Sequence, residues 1–206
     1  MGISERKKRE KDAVKAKILE TANRLFLEKG YEGTSIRTIS EAIEYSPATI
    51  YLYFKDKNDI FLQLQKQAFE LLEEKMKATQ SIVSPLERLK EMGKVYLNFA
   101  FDNPQYYDLM FILRSPMQGI TEKNTWQEGI RLYQSIETVV EACIVAKQIK
   151  GTEHQVIAFT IWSYIHGQCA LLIRQRLPMH EKQHLRYLIS SSFEFFWKIL
   201  ETPSIG

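Results

Sequence analysis

Residues 34–57, TSIRTISEAIEYSPATIYLYFKDK, leave the chain little choice of local structure. Ile36, Ile39 and Ile43 recur at spacings of three and four, which places them on one face of a helix. Glu44 and Tyr45 break that period. Ser46 then offers an N-cap hydroxyl, and Pro47 takes the first helical position, where a missing N–H costs nothing. Ile50 and Phe54 form the buried side of the next helix, so Ala48, Thr49, Tyr51, Leu52 and Tyr53 point elsewhere. Two short helices around a tight turn, the second opening with small and hydroxyl side chains, make a helix-turn-helix. That shape fits a DNA major groove.

The flanking residues extend the pattern. Ile18, Ala22, Leu25 and Phe26 precede Gly30, and Thr34, Ser35 and Ile39 follow it; then come Ser46, Thr49, Ile50, Tyr51, Tyr53, Phe54 and Lys57. In this order they resemble the DNA-binding domain of the TetR family of transcriptional repressors, over roughly residues 12–72. The resemblance implies that Ser46, Ala48, Thr49 and Leu52 face bases. It implies equally that Thr34, Ser35, Arg37, Tyr51, Tyr53, Lys55 and Lys57 face phosphates. The family usually has Ala-Gly-Val-Ser at the turn, where this chain has Ile43, Glu44, Tyr45 and Ser46. Keeping the same path requires a left-handed Glu44, at a cost of about 1–2 kcal/mol.

The remainder reads as helices separated by strong punctuation, an all-α pattern without strand alternation or a fixed repeat. Asp56 to Asp59 caps a helix running to about Thr79. Ser84-Pro85-Leu86-Glu87 combines a capping box with Pro at the first helical position, opening a helix toward Phe101. Asn103-Pro104 starts another, ending near Ser115. Further helices are expected over about 122–150, from a capping box at Thr152 to about Arg176, and over about 181–201. The expectation is about nine helices: a three-helix DNA-binding domain over 12–72, with its helix-turn-helix at about 35–54, and a six-helix effector and dimerisation bundle over 73–206.

Charge follows that division. The 206 residues carry a formal net charge of +3, and up to Lys57 twelve Lys and Arg face nine Asp and Glu, while the rest is balanced. The surplus sits in Arg6, Lys7, Lys8, Arg9 and Lys11, which read either as a solubilising tail or as a segment approaching phosphates or the minor groove. No uninterrupted apolar run reaches the ~18–20 residues of a membrane span, and no signal-type segment follows the N-terminus. Cytoplasmic location and no membrane partner are the expectation. Cys143 and Cys169 fit neither a metal spacing nor a disulfide framework, which predicts buried thiols.

A second resemblance lies in Ile161 to Leu172, IWSYIHGQCALL. Trp162, His166 and Gly167 are similar to the Trp-x-x-x-His-Gly segment of many TetR-type effector domains, and Asn103-Pro104 with Tyr106, Tyr107, Met110 and Phe111 resembles the same subgroup. Aromatics at helical spacing are usually core. A pocket-lining subset drawn from Tyr96, Phe99, Tyr106, Tyr107, Met110, Phe111, Trp126, Tyr133, Trp162 and His166 is the alternative, suiting an apolar or aromatic effector. Wide apolar stripes over 152–176 and 181–201 fit either internal core or a two-fold interface, and the resemblance implies a homodimer through these two helices.

Residues 180–184, His-Glu-Lys-Gln-His, formally match a zinc-protease motif. Their place just after Pro178, in an exposed first turn, argues for surface histidines; neither metal, cofactor nor catalytic residue is assigned. By resemblance the whole reads as a ligand-responsive regulator, a repressor binding a palindromic operator of double-stranded DNA as a homodimer. The rival reading is a helical dimer that binds a ligand or protein without an operator.

Overall fold

The computed structural model describes residues 3–113 and 127–202. Among them are nine α-helices and no strand: α1 (Ile3–Lys29), α2 (Ile36–Ala42), α3 (Pro47–Tyr51), α4 (Lys57–Lys77), α5 (Pro85–Asp102), α6 (Pro104–Tyr107), α7 (Gln127–Val145), α8 (His154–Ile173) and α9 (Lys182–Leu200). Contacts divide the chain into two units, one built from residues 1–69 and 105–125, the other from 70–104 and 126–206.

In the first unit each helix end has a local cause. Gly30, at φ +75, ends α1, a conformation that favours glycine. Ser35 caps α2: its hydroxyl accepts the Thr38 N–H at 3.1 Å, and Thr38 Oγ1 accepts the Ser35 N–H at 3.0 Å. Ser46 caps α3 by accepting the Thr49 N–H at 3.2 Å, with Pro47 following it. Between them Glu44 takes φ +63, so the turn keeps the left-handed path expected of it. Lys17 Nζ donates to the Ile43 carbonyl beside that residue at 3.3 Å.

These helices close over Ile18, Ala22, Leu25, Phe26, Ile39, Ile43, Ile50, Phe54 and Phe61, all buried. Phe26, Tyr31 and Phe61 meet with ring centroids 5.2–5.5 Å apart. After α6 the backbone widens into a π turn over Asp108–Ile112, where the Leu113 N–H reaches back five residues to the Asp108 carbonyl at 2.7 Å. Leu109 from that turn joins the same core, and Gln65 Nε2 donates to its carbonyl at 3.2 Å.

In the second unit α5, α7 and α8 pack on one another, with α9 against them. The core includes Leu89, Met92, Tyr96, Phe99, Val140, Ile161, Ile165, Phe193 and Trp197. Gly93 lets α9 approach α5, since a Cβ there would sit 2.9 Å from Phe193 Cε2. The end of α9 is pinned to the α7–α8 link by bonds from the Lys150 N–H to the Leu200 carbonyl (2.9 Å) and from the Thr202 N–H to the Gln148 carbonyl (3.0 Å). Cys143 and Cys169 are buried free thiols, and burial pushes Cys143 up to about 11.

Several expected boundaries move. α7 ends at Val145 rather than near Lys150, because Lys147 turns left-handed at φ +56 and the chain leaves the helix. The Thr152 capping box does not form: Glu153 occupies the N-cap position without a side-chain bond. The start expected near Glu122 lies outside the described residues. α8 bears on the membrane expectation without overturning it, since one such helix is also what the core of a soluble protein contains. By length and composition it is apolar enough to cross a bilayer, with 22% of that window buried within the chain. Thr160, Ser163, His166 and Gln168 interrupt the apolar run without lowering the helix average below a span's.

Candidate nucleic-acid interface and effector pocket

The two sides of α3 differ sharply. Ile50 and Phe54 are 0% and 3% exposed, whereas Tyr51 and Leu52 are 57% and 76% exposed. Ala48 is exposed beside them. The inward side therefore locks the helix in place while the outward side has no intramolecular task. Ser46 and Thr49 are bound to each other, hydroxyl to hydroxyl at 3.0 Å, a contact that uses one of their two protons. The exposed surface that could meet a groove includes Ser46, Ala48, Tyr51 and Leu52, a hydroxyl, a methyl, a phenol and an isobutyl group.

The phosphate-facing set needs one correction. Thr34 is 1% exposed, and its hydroxyl shares its single proton between the carbonyls of Leu25 (3.1 Å) and Gly30 (2.9 Å). Such a hydroxyl bolts α1 to the α2 approach and is closed to a phosphate. Lys57 is also engaged: Nζ donates to the Tyr31 carbonyl at 2.8 Å and lies 4.0 Å from that ring's centroid. Tyr53 is half-buried against the core. Ser35 and Lys55 stand exposed, and Arg37 is exposed with its guanidinium on Glu41 at 2.8 Å. Tyr45, which in the sequence marks only the break in a periodicity, is 40% exposed on the turn.

The aromatic residues named as effector contacts do not form one group. Trp162 Nε1 donates to Tyr96 Oη at 3.2 Å, and that oxygen lies 3.4 Å from His166 Nδ1. Tyr133 meets the Trp162 ring edge-on at 5.9 Å between centroids. Burial lowers the pKa of His166, which favours the neutral imidazole. Beside this network Met76, Leu89, Met92, Gly93, Ile136, Ile161 and Ile165 surround a void of about 20 Å³, room for about one water and too small for an organic effector. Phe99 is buried but does not line it. Tyr106, Tyr107, Met110 and Phe111 belong to the first contact unit. There Phe111 meets Tyr107 and Phe69 at 5.0 and 5.6 Å. Trp126 lies outside the described residues.

Two further expectations concern the surface. His180, Glu181 and His184 are exposed, and the two imidazole centroids are 6.5 Å apart. No group of three metal-binding side chains occurs among the described residues. On α8 Val156, Phe159 and Leu171 are exposed, and on α9 Tyr187, Phe195 and Ile199. Large apolar side chains concentrated on two adjacent helices mark an interaction face.

Comparison with known proteins finds two family models. Residues 18–64 match the family model for bacterial regulatory proteins, tetR family, and residues 89–190 match that for a tetracyclin repressor-like C-terminal domain. The chain is 26% identical over 140 residues to the biofilm operon icaADBC HTH-type negative transcriptional regulator IcaR of Staphylococcus aureus (strain Newman), covering 68% of this chain and 74% of that one. To the HTH-type transcriptional regulator HbdR of Aromatoleum sp. (strain CIB) it is 25% identical over 153 residues, covering 73% and 66%. A tetR-family regulatory protein from Rhodococcus RHA1 superposes with a TM-score of 0.73 at 18% identity, over 90% of this chain and 96% of that one. AibR in complex with isovaleryl coenzyme A and operator DNA superposes with a TM-score of 0.69 at 21% identity, over 86% and 96%. The structural likenesses carry the fold, and the two sequence models together span most of the chain. This protein belongs to the tetR family of bacterial transcriptional regulators.

Proposed function

We propose that the protein is a ligand-responsive transcriptional repressor that binds a palindromic operator as a homodimer, and that it acts in the cytoplasm as a regulator rather than an enzyme. The observation that carries this is the outward side of α3. Ala48, Tyr51 and Leu52 are exposed on a capped helix whose opposite side is sealed by Ile50 and Phe54. Two such helices would enter major grooves about 34–36 Å apart, or a multiple of that. Ala48 and Leu52 meet thymine methyls, with Ser46 and Thr49 at the helix start, while Tyr51, Ser35, Arg37, Lys55 and Lys57 set register on phosphates.

The DNA-binding part spans about 12–72 and the ligand-binding and dimerisation part 73–206. The exposed apolar side chains of α8 and α9 form the dimer face, and their burial by a second copy accounts for an apolar helix without a bilayer. Tyr96, Tyr133, Trp162 and His166 form the polar end of the effector pocket. The aliphatic and thioether groups around the void take an apolar body once it opens. AibR has been solved with isovaleryl coenzyme A, and a small acyl group has the size and polarity such a lining favours.

The test starts from a palindrome enriched from a random-sequence duplex pool. Wild-type protein should bind it as a dimer. Tyr51→Ala with Leu52→Glu should lose binding while light scattering still reports the dimer. Unchanged binding by that double variant overturns the reading.

A further inference from the structure

The basic N-terminal segment is not a tail. It is the first part of α1, a continuous helix from Ile3 to Lys29, and residues 4–13 are all exposed. At ~1.5 Å rise per residue these ten residues carry the helix ~15 Å beyond the core. The overhang extends a helix already nucleated by the packed part of α1, so it adds turns without a second nucleation cost.

Its charges are placed, not scattered. Lys8, Lys11 and Lys15 follow one another at spacings of three and four, and Ile18, Ala22 and Leu25 continue the same series. One stripe of α1 is therefore buried aliphatic at its C-terminal half and lysine at its N-terminal half. The junction touches the recognition element. Lys15 Nζ lies 5.6 Å from the Phe54 ring centroid, and Lys17 bonds the Ile43 carbonyl and lies 5.4 Å from the Tyr45 ring centroid. Lys15 places the lysine stripe on the side of α1 that faces the exit of α3, and Lys17, about 130° round the helix from the centre of that stripe at ~100° per residue, reaches the turn. Off the stripe Arg6 and Glu10 neutralise each other at 2.9 Å. Asp12 borders the stripe, and from Ile3 to Lys17 seven basic residues stand against three acidic ones.

We infer that the overhang of α1 is a second DNA-binding surface, in which Lys8 and Lys11, with Lys15 at its root, lie on duplex phosphates outside the recognition helix. This rests on the operator-binding reading above. A helix ~10–12 Å across does not enter a minor groove ~6 Å wide, so the contact is with the backbone and reads no sequence. It sets affinity and salt dependence and leaves base discrimination to α3.

The experiment compares wild type with the double variant Lys8→Ala, Lys11→Ala, two exposed positions. Binding is measured from about 50 to 300 mM salt on the palindrome enriched from a random pool and on a scrambled duplex of equal length. Removing four phosphate contacts per dimer should flatten the log–log salt slope by about 3–4. Affinity at low salt should fall at least tenfold on both duplexes, with their ratio unchanged, and Lys8→Arg, Lys11→Arg should restore it. Wild-type slope and affinity in the alanine variant, with Tyr51→Ala still abolishing palindrome binding, overturn the inference and leave the operator reading standing. A loss confined to the palindrome also overturns it, because that is the signature of base readout. Wild-type protein that binds neither duplex overturns both.

Discussion

Lys57 clasps Tyr31: its ammonium donates to the Tyr31 carbonyl at 2.8 Å while sitting 4.0 Å from the centre of the same residue's ring. One cation thereby ties the start of α4 to the end of α1. A residue that family resemblance assigns to phosphates is first a structural clamp.

Replacing Lys57 with Met keeps the aliphatic stem but removes the charge. The lost charged hydrogen bond and cation–π contact should lower the unfolding free energy by about 1.5–3 kcal/mol. Tyr51→Ala, which takes away an exposed ring, should stay within about 0.5 kcal/mol of wild type. Urea unfolding of the two variants distinguishes a clamp from a pure DNA contact; equal midpoints would refute the clamp.

Thr34→Val replaces a buried hydroxyl by a methyl of similar size. The Leu25 and Gly30 carbonyls lose their shared donor, and stability should drop by about 1–3 kcal/mol. DNA affinity measured well below the melting temperature should not change, because this hydroxyl never reaches a phosphate. A stable variant with weakened DNA binding would reverse both statements.

Glu44 holds φ +63 with a side chain that disfavours it. Gly at this position relieves about 1–2 kcal/mol of strain and adds back up to about 1 kcal/mol of unfolded-chain entropy. Glu44→Gly should therefore raise the urea midpoint slightly. Glu44→Val, a β-branched residue in left-handed backbone, should lower it clearly. The opposite order of midpoints would show that the turn does not retain this path.

His166 supplies a pH signature. Burial lowers its pKa from the ordinary 6.5, so the unfolded chain takes up the proton first as pH falls. The stability it contributes is complete above 6.5. It is lost as pH drops from there through the folded pKa, and the loss levels off below that value. His166→Asn should remove this component of the slope between pH 7 and 5, read as the difference in urea midpoints. A wild-type slope in the variant would assign the dependence to other groups.

What could be read directly from residue order was whatever depends on near neighbours. The hydroxyl caps at Ser46 and Ser84, the prolines that follow them and the isoleucine spacing of α2 act over three or four residues, and each took effect as expected. The all-helical architecture and the sealed side of α3 follow from the same short-range periodicities. The folded arrangement settled the rest, because burial and hydrogen bonding across tens of residues have no local signature. Thr34 and Lys57 bear polar groups that look available in sequence, yet they spend them on carbonyls of α1, the α1 cap and Tyr31. Tyr96, Trp162 and His166 meet only because α5 and α8 pack together, 66 to 70 residues apart along the chain. Lys8, Lys11 and Lys15 became a directed surface only once α1 proved continuous to Ile3, which put them in register with the stripe that builds the core.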